Sequence, residues 1–389
     1  MSNLCRQLCT VLFAIVVVVF QTSAQTNTLA PISQSPVTQS SQASVLKVMQ
    51  LVADWQLANP VTNRPTGWIC GVGDIGMMAM AGISPDPKYR NAMFAKGETN
   101  EWQLPQYRGR KYHADDQCIG QVWTELYFTY RQKDMIAPMR EKMDFIMSNP
   151  APNQSLDSPN QDTWSWCDAL FMAPPSWMRL YAATGDARYM DYAVSNFWRT
   201  ANFLYDTNAA LFYRDSSAFD KHEQNGSKIF WSRGNGWVLA GTARILQYLP
   251  TNSPDRQRFE KLFKDMARSV LASQQPDGLW HSSLLDPKDY ATPEASGSAL
   301  FTYGLAWGVN QGLLDSATFK PAIMKSWTAL VSCVSSEGQL THIQPAGSGP
   351  VQFPADSTAP YGNGALLLAG SEVYRMTTPH EVKSVAARN

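Results

Sequence analysis

The sequence predicts an all-α chain of repeated helical hairpins, and three observations carry that expectation. Apolar residues recur at helical spacing along most of the chain, alternating β-branched runs are scarce, and a turn followed by a short extended piece returns at a regular interval. Phe259, Leu262, Phe263, Met266, Val270 and Leu271 fall on one helical face, and Phe319, Ile323, Trp327, Leu330 and Val331 on another. Trp166, Ala169, Leu170, Ala173, Trp177, Leu180 and Tyr181 form a third stripe. Pro174 and Pro175 interrupt it, which predicts a distorted inner helix at a cavity wall. The breaks between stripes carry helix-stop and turn residues: Thr184-Gly185-Asp186, Asn252-Ser253-Pro254-Asp255 and Gln275-Pro276-Asp277-Gly278.

The returning motif is found at Thr207 to Tyr213, Pro276 to His281 and Ser336 to His342. Its leucines, Leu211, Leu279 and Leu340, lie roughly 60 to 70 residues apart, the length of two helices with their connections. At that period the chain holds roughly five to six hairpins. Six hairpins close into an (α/α)6 barrel whose inner helices wall a central cavity; an open helical solenoid is the alternative.

Composition narrows the partners. Of 389 residues, 16% are charged, against about 25% in an average soluble protein. Lys plus Arg and Asp plus Glu number 32 each, so a nucleic-acid binder, which shows a basic excess, is excluded. The 44% hydrophobic content excludes a disordered chain, and the 13 Trp call for a large core with rings to spare for a ligand surface. Residues 1–24 read as a signal peptide: Arg6 gives the positive start, Val11 to Phe20 the apolar run, and Thr22-Ser23-Ala24 the small residues for cleavage. The mature protein is expected to be secreted or periplasmic, with no membrane attachment after cleavage. Residues 25–44 read as a polar flexible leader, 45–376 as the barrel and 377–389 as a polar tail. Cys70, Cys118, Cys167 and Cys333 follow the leader with no CxxC spacing, which suits free buried thiols or a single disulfide rather than a disulfide framework.

Four segments break the helical pattern with clustered polar and aromatic residues. In His113 to Gln121, Asp116 stands at the mouth of a helix running to about Arg131, either as its cap or as a cavity carboxylate. In Trp164 to Pro175, Asp168 lies in an apolar, aromatic run, where burial would raise its pKa and make it a proton donor near neutral pH. In Trp231-Ser232-Arg233-Gly234-Asn235-Gly236-Trp237, glycines let the backbone approach a ligand, Arg233 offers a planar fork for a carboxylate, and the Trp rings offer sugar faces. Glu294 to Ala299 and Tyr361 to Gly364 suit starts of closely packed inner helices. The five histidines lack metal-binding spacing and no phosphate loop is present, so no metal or organic cofactor is expected.

Taken in order, Asp116 with Gly120, Trp166 to Ala173, Trp231 to Trp237, Glu294 to Ala299, and Gly362-Asn363-Gly364 with Ala369 to Val373 resemble glycoside hydrolase family 105, the unsaturated rhamnogalacturonyl hydrolases. That family is similar to the family 88 unsaturated glucuronyl hydrolases. The resemblance implies an (α/α)6 barrel acting on an anionic oligosaccharide made by a polysaccharide lyase. Its non-reducing end is a 4,5-unsaturated uronic acid, removed by hydration of the C4=C5 bond. Asp168 would give a proton to C4 and then act as base on the water added at C5. Asp116 would hold sugar hydroxyls and tune Asp168. Arg233, Trp231 and Trp237 would wall the ring, with Asn235, Trp166 and His113 also binding substrate. Arg214 stands where pectin-type members carry a His, and Ser158 to Thr163 replaces another His-bearing stretch. Arg214 could bind a uronate carboxylate or a sulfate, which admits ulvan-type as well as pectin-type substrates. The rivals are another α/α-barrel enzyme, an inverting glycosidase or an epimerase, and a non-catalytic glycan binder.

Overall fold

A computed structural model describes residues 41–157 and 160–377. The expected signal peptide, most of the leader, Ser158, Pro159 and the tail beyond Thr377 lie outside the described residues. Helix α1 (Gln42–Ala58) begins slightly before the expected barrel boundary, because the Ser41 hydroxyl caps it by accepting from Ser44 N at 3.2 Å. There follow α2 (Trp68–Ala81), α3 (Lys88–Thr99), α4 (Gly120–Tyr130), α5 (Ala137–Ser148), α6 (Ala169–Met172), α7 (Pro174–Thr184) and α8 (Ala187–Leu204). The order closes with α9 (Ser232–Leu246), α10 (Arg256–Ala272), α11 (Ala295–Asn310), α12 (Ser316–Ser332) and α13 (Pro360–Met376). None of these helices is long and apolar enough to cross a membrane.

The helices alternate between an outer and an inner layer, and the sequence shows why. Helix α10 buries only its Phe259, Leu262, Phe263, Met266, Ala267 and Val270 stripe, as an outer helix must. Every residue of α9 is buried, and α11 and α13 are buried over nearly their whole lengths. The inner contacts run from α2 to α4, to α7, from α6 and α7 to α9, then to α11, to α13 and back to α2. That circuit is closed, so the fold is an (α/α)6 barrel. Outer helices α1, α3, α8, α10 and α12 pack on this ring, and α5 lays Met139 against Gly120 of α4. The expected distortion falls where the prolines stand: α6 stops at Met172, and Pro174 opens α7 at its first position.

Close approach of the inner helices depends on glycine. A Cβ on Gly364 of α13 would strike the backbone carbonyl of Val72 on α2. Helix propensity alone favours alanine over glycine by about 1 kcal/mol. Gly364→Ala is nonetheless expected to destabilise the barrel by about 1–3 kcal/mol, because two backbones must separate. The urea midpoint of the variant checks the sign.

The returning motif also has a structural use. Ala210, Gly278 and Gly338 take positive φ angles of 52°, 92° and 99°, turning the chain after α8, α10 and α12. Leu211, Leu279 and Leu340 then plug into the core. The extended piece after each of the first two turns is clipped to the next inner helix. Asn235 of α9 donates to Phe212 O at 3.0 Å and accepts from Phe212 N at 2.7 Å, while Ser298 of α11 accepts from Trp280 N at 2.8 Å. The four cysteines among the described residues are free and buried.

Candidate active site

The segments that lead into the inner helices gather at one end of the barrel. Between three of them lies a cavity of about 180 Å³ whose lining includes Arg110, His113, Asp115, Gln161, Trp166 and Arg214. Asp115 sits in a 3-10 turn, Ala114–Gln117, just ahead of α4. Asp168 precedes α6, half-buried by area but set deep among protein atoms. The backbone of Cys167 donates to Arg214 O at 2.8 Å, which fixes Arg214 beside Asp168.

Both carboxyls are pushed towards holding a proton. Burial raises the pKa of Asp168; Arg214 opposes this, as does the Cys167 thiol, which donates to Asp168 Oδ1 at 3.2 Å. Burial of that thiol holds its own pKa well above the usual value, so it stays a donor. Asp115 is pushed up to about 7, first by burial and then by the negative charges of Asp168 and Asp116. The charge of Asp168 thus helps Asp115 keep its proton to about pH 7, so the two titrations are linked. His113 is 4% exposed, and burial among the cations Arg110, Lys142 and Arg214 drives its pKa down to about 3, so its imidazole is neutral. Its ring tilts against Trp166 with centroids 5.0 Å apart. Its Nδ1 is buried without a hydrogen-bond partner, 3.8 Å from Asp115 Oδ2.

The sequence-expected residues divide into two groups. Arg214, Trp166 and His113 line this cavity, and Asp168 lies beside Arg214 without being one of the lining residues. Asp116 does not line the cavity: the 3-10 turn rotates it away, and Asp115 stands where it was expected. Asp116 is 1% exposed and faces Arg110 at 3.7 Å, Lys142 and the backbone of Tyr107, so it anchors the segment from Trp102 to Tyr112. Trp231, Trp237 and Asn235 are buried packing and hydrogen-bonding groups in this structure rather than an open sugar platform. Trp237 packs on Phe171 and Trp68, and Asn235 is spent on Phe212.

Arg233 and Trp231 are held by Gln344, which no local sequence pattern singles out. The carbonyl of the fully buried Gln344 accepts from Arg233 at 2.6 Å and from the Tyr361 hydroxyl at 2.5 Å. Its side-chain oxygen accepts from Trp231 at 2.8 Å and Ser282 at 2.6 Å. Its backbone N–H donates to Glu294, and its side-chain amide donates to Gly349 O. The second Arg233 nitrogen donates to Pro345 O at 2.9 Å, and the guanidinium lies 4.5 Å over the Trp231 ring. Nothing in the local sequence marks Gln344, because its partners come from four distant segments. Arg110 was missed as one of several loop cations. Among the described residues no group of three or more His, Cys, Asp or Glu side chains is placed to hold a metal ion.

A closed helical barrel with deep-set carboxyls of raised pKa at and beside a polar and aromatic cavity suits a carbohydrate-processing hydrolase. The chain belongs to Glycosyl Hydrolase Family 88, which matches residues 32–377. It is 37% identical over 349 residues to an unsaturated 3S-rhamnoglycuronyl hydrolase of Formosa agariphila, covering 86% of this chain and 90% of that one. A protein of the same name from Alteromonas sp. is 33% identical over 361 residues, covering 86% and 87%. The solved glycosyl hydrolase family 88 protein from Bacteroides vulgatus superposes with a TM-score of 0.79 at 29% identity, covering 86% of this chain and 99% of that one.

Proposed function

We propose that this hydrolase removes a 4,5-unsaturated uronic acid from the non-reducing end of lyase-made oligosaccharides, with rhamnose as the neighbouring sugar. The observation that carries the reading is the placing of Asp115, whose pKa burial and the charge of Asp168 push up to about 7, in a cavity lined also by Trp166 and Arg214, with the deep-set Asp168 beside Arg214. The names of the two relatives at 33% and 37% identity support the substrate class. A signal peptide at residues 1–24 would deliver the enzyme to the periplasm or the medium, where products of a large polysaccharide arise.

The C4=C5 bond of the substrate is a vinyl ether with the ring oxygen. Asp168 passes the pair's proton to C4, leaving positive charge shared between C5 and the ring oxygen. The same carboxylate then takes a proton from the water that adds at C5. The C5 hemiketal opens by releasing the ring oxygen, and the hemiacetal left at C1 collapses to an aldehyde and the free neighbouring sugar. The net change is addition of one water, with no attack at the anomeric carbon, unlike two-carboxylate glycosidases. Asp115 holds the shared proton and faces the ring hydroxyls.

Loss of ultraviolet absorbance from the conjugated uronate tests the reading. Purified enzyme is expected to bleach unsaturated rhamnose-linked oligosaccharides. Unchanged absorbance across ulvan-derived, pectin-derived and glycosaminoglycan-derived products would overturn it, and faster cleavage of saturated analogues would favour an ordinary glycosidase.

A further inference from the structure

We propose that Cys167 is a positioning residue of the reaction: its thiol holds one oxygen of the Asp168 carboxyl and leaves the other to carry the proton to carbon. This rests on the uronyl-hydrolase reading above. The Cys167 thiol donates to Asp168 Oδ1 at 3.2 Å, and among the described residues no other hydrogen bond reaches that carboxyl. Arg214 acts on Asp168 through its charge, while its ion pair is with Asp215. The thiol stands on fixed backbone. The Cys167 N–H donates to Arg214 O at 2.8 Å, and the Cys167 carbonyl accepts from Leu170 N at 3.0 Å. Cys167 is fully buried, whereas Asp168 keeps part of its surface between buried neighbours on both sides. Gly234 makes the room: a Cβ there would lie 3.0 Å from the Cys167 sulfur and 2.9 Å from the Trp231 ring. The first glycine of the Arg-Gly-Asn-Gly-Trp stretch thus gives its space to the thiol.

The chemistry explains why such a holder is needed and why it is a thiol. A heteroatom that receives a proton guides the donor with a lone pair. C4 has none, so the protein must aim the carboxyl. A carboxyl that turns about its bond to Cβ exchanges its two oxygens, and one contact to Oδ1 stops that exchange. A strong donor would work against the acid, because hydrogen bonding to the carboxylate favours the ionised form. A thiol is a weak donor. It orients Asp168 while burial still holds the carboxyl's pKa up. Burial of the thiol keeps it protonated in turn, so the contact persists across the working pH range.

The test follows kcat, KM and the pH profile of the bleaching reaction in two variants. Cys167→Ala is expected to lower kcat about tenfold with KM unchanged, the upper range for one hydrogen bond. With the donor gone the Asp168 pKa rises, so its proton is kept to higher pH and the alkaline limb of the kcat profile moves up. Cys167→Ser is expected to keep kcat within about threefold of wild type. Its stronger donor lowers the Asp168 pKa, so the limb moves down. Lost packing does not produce opposite shifts. Unchanged kcat in Cys167→Ala, or an equal loss in both variants with the limb fixed, would overturn the role. The infrared S–H stretch, isolated by subtracting the matching Cys167→Ser protein, reads the contact without turnover. It is expected to rise in wavenumber in Asp168→Ala, which removes the acceptor, and an unmoved band would refute the contact. Failure of every unsaturated substrate to react would overturn the uronyl-hydrolase reading, while a shifted band would still assign the thiol to Asp168.

Discussion

Asp168→Asn is expected to lower kcat by about 10³-fold or more, while the variant stays folded and binds substrate. The reaction needs a group that gives a proton to carbon and then takes one from water. An amide can do neither. The replacement is nearly the same size and keeps an acceptor for the Cys167 thiol. It also removes a buried ionisable group whose pKa is raised, so thermal stability at neutral pH is not expected to drop. Single-turnover kinetics with the bleaching assay, beside a melting curve, separate lost chemistry from lost structure. Residual activity within tenfold of wild type would place the proton donor elsewhere.

The second large effect separates two neighbouring aspartates. Asp115→Asn is expected to cut kcat at pH 7 by about 10²-fold or more, and Asp116→Asn to act mainly on KM. Removing Asp115 dissolves the pair, so the upper titration, now at about 7, is lost and the alkaline limb of the kcat profile moves to lower pH. Asp116 instead holds Arg110 and the Trp102 to Tyr112 segment through contacts with Lys142 and the Tyr107 backbone. Its loss loosens a wall of the cavity and leaves the proton with the pair. Stability gives an independent sign. The folded protein keeps the Asp115 proton that the unfolded chain has lost above about pH 4, so this group destabilises the fold increasingly up to about pH 7. Asp115→Asn is therefore expected to gain stability over wild type as pH rises through that window. A kcat loss for Asp116→Asn as large as that for Asp115→Asn would reverse the assignment.

Much of the fold was legible because its determinants are local. The 259–271 stripe, the prolines at 174 and 175 and the three leucine turns each act within one hairpin, and their spacing reads directly as helix, break or turn. The closing of the ring follows from the number of hairpins. The site was less legible, for two physical reasons. A 3-10 turn in place of a helix start rotates side chains relative to helical spacing, and this exchanged Asp115 for Asp116. Trp and Arg also read alike whether they face a ligand or a neighbouring helix. Trp231 and Arg233 carry the chemistry of a sugar site, yet in this structure the carbonyls and the amide of the 344–345 segment satisfy them. The neutral net charge is silent on local charge: Arg110 and Arg214 both line the cavity, each balanced by its own aspartate.

The most direct measurement follows the reaction in D₂O by NMR at early times. Hydration delivers one solvent-derived deuteron to C4, so the first uronate product is expected to lack the C4=C5 bond and to carry a single deuterium there. Release of a free uronic acid with its double bond intact and no deuterium at C4 would mean attack at the anomeric carbon, and would contradict the hydration mechanism and the proton-donor role of Asp168.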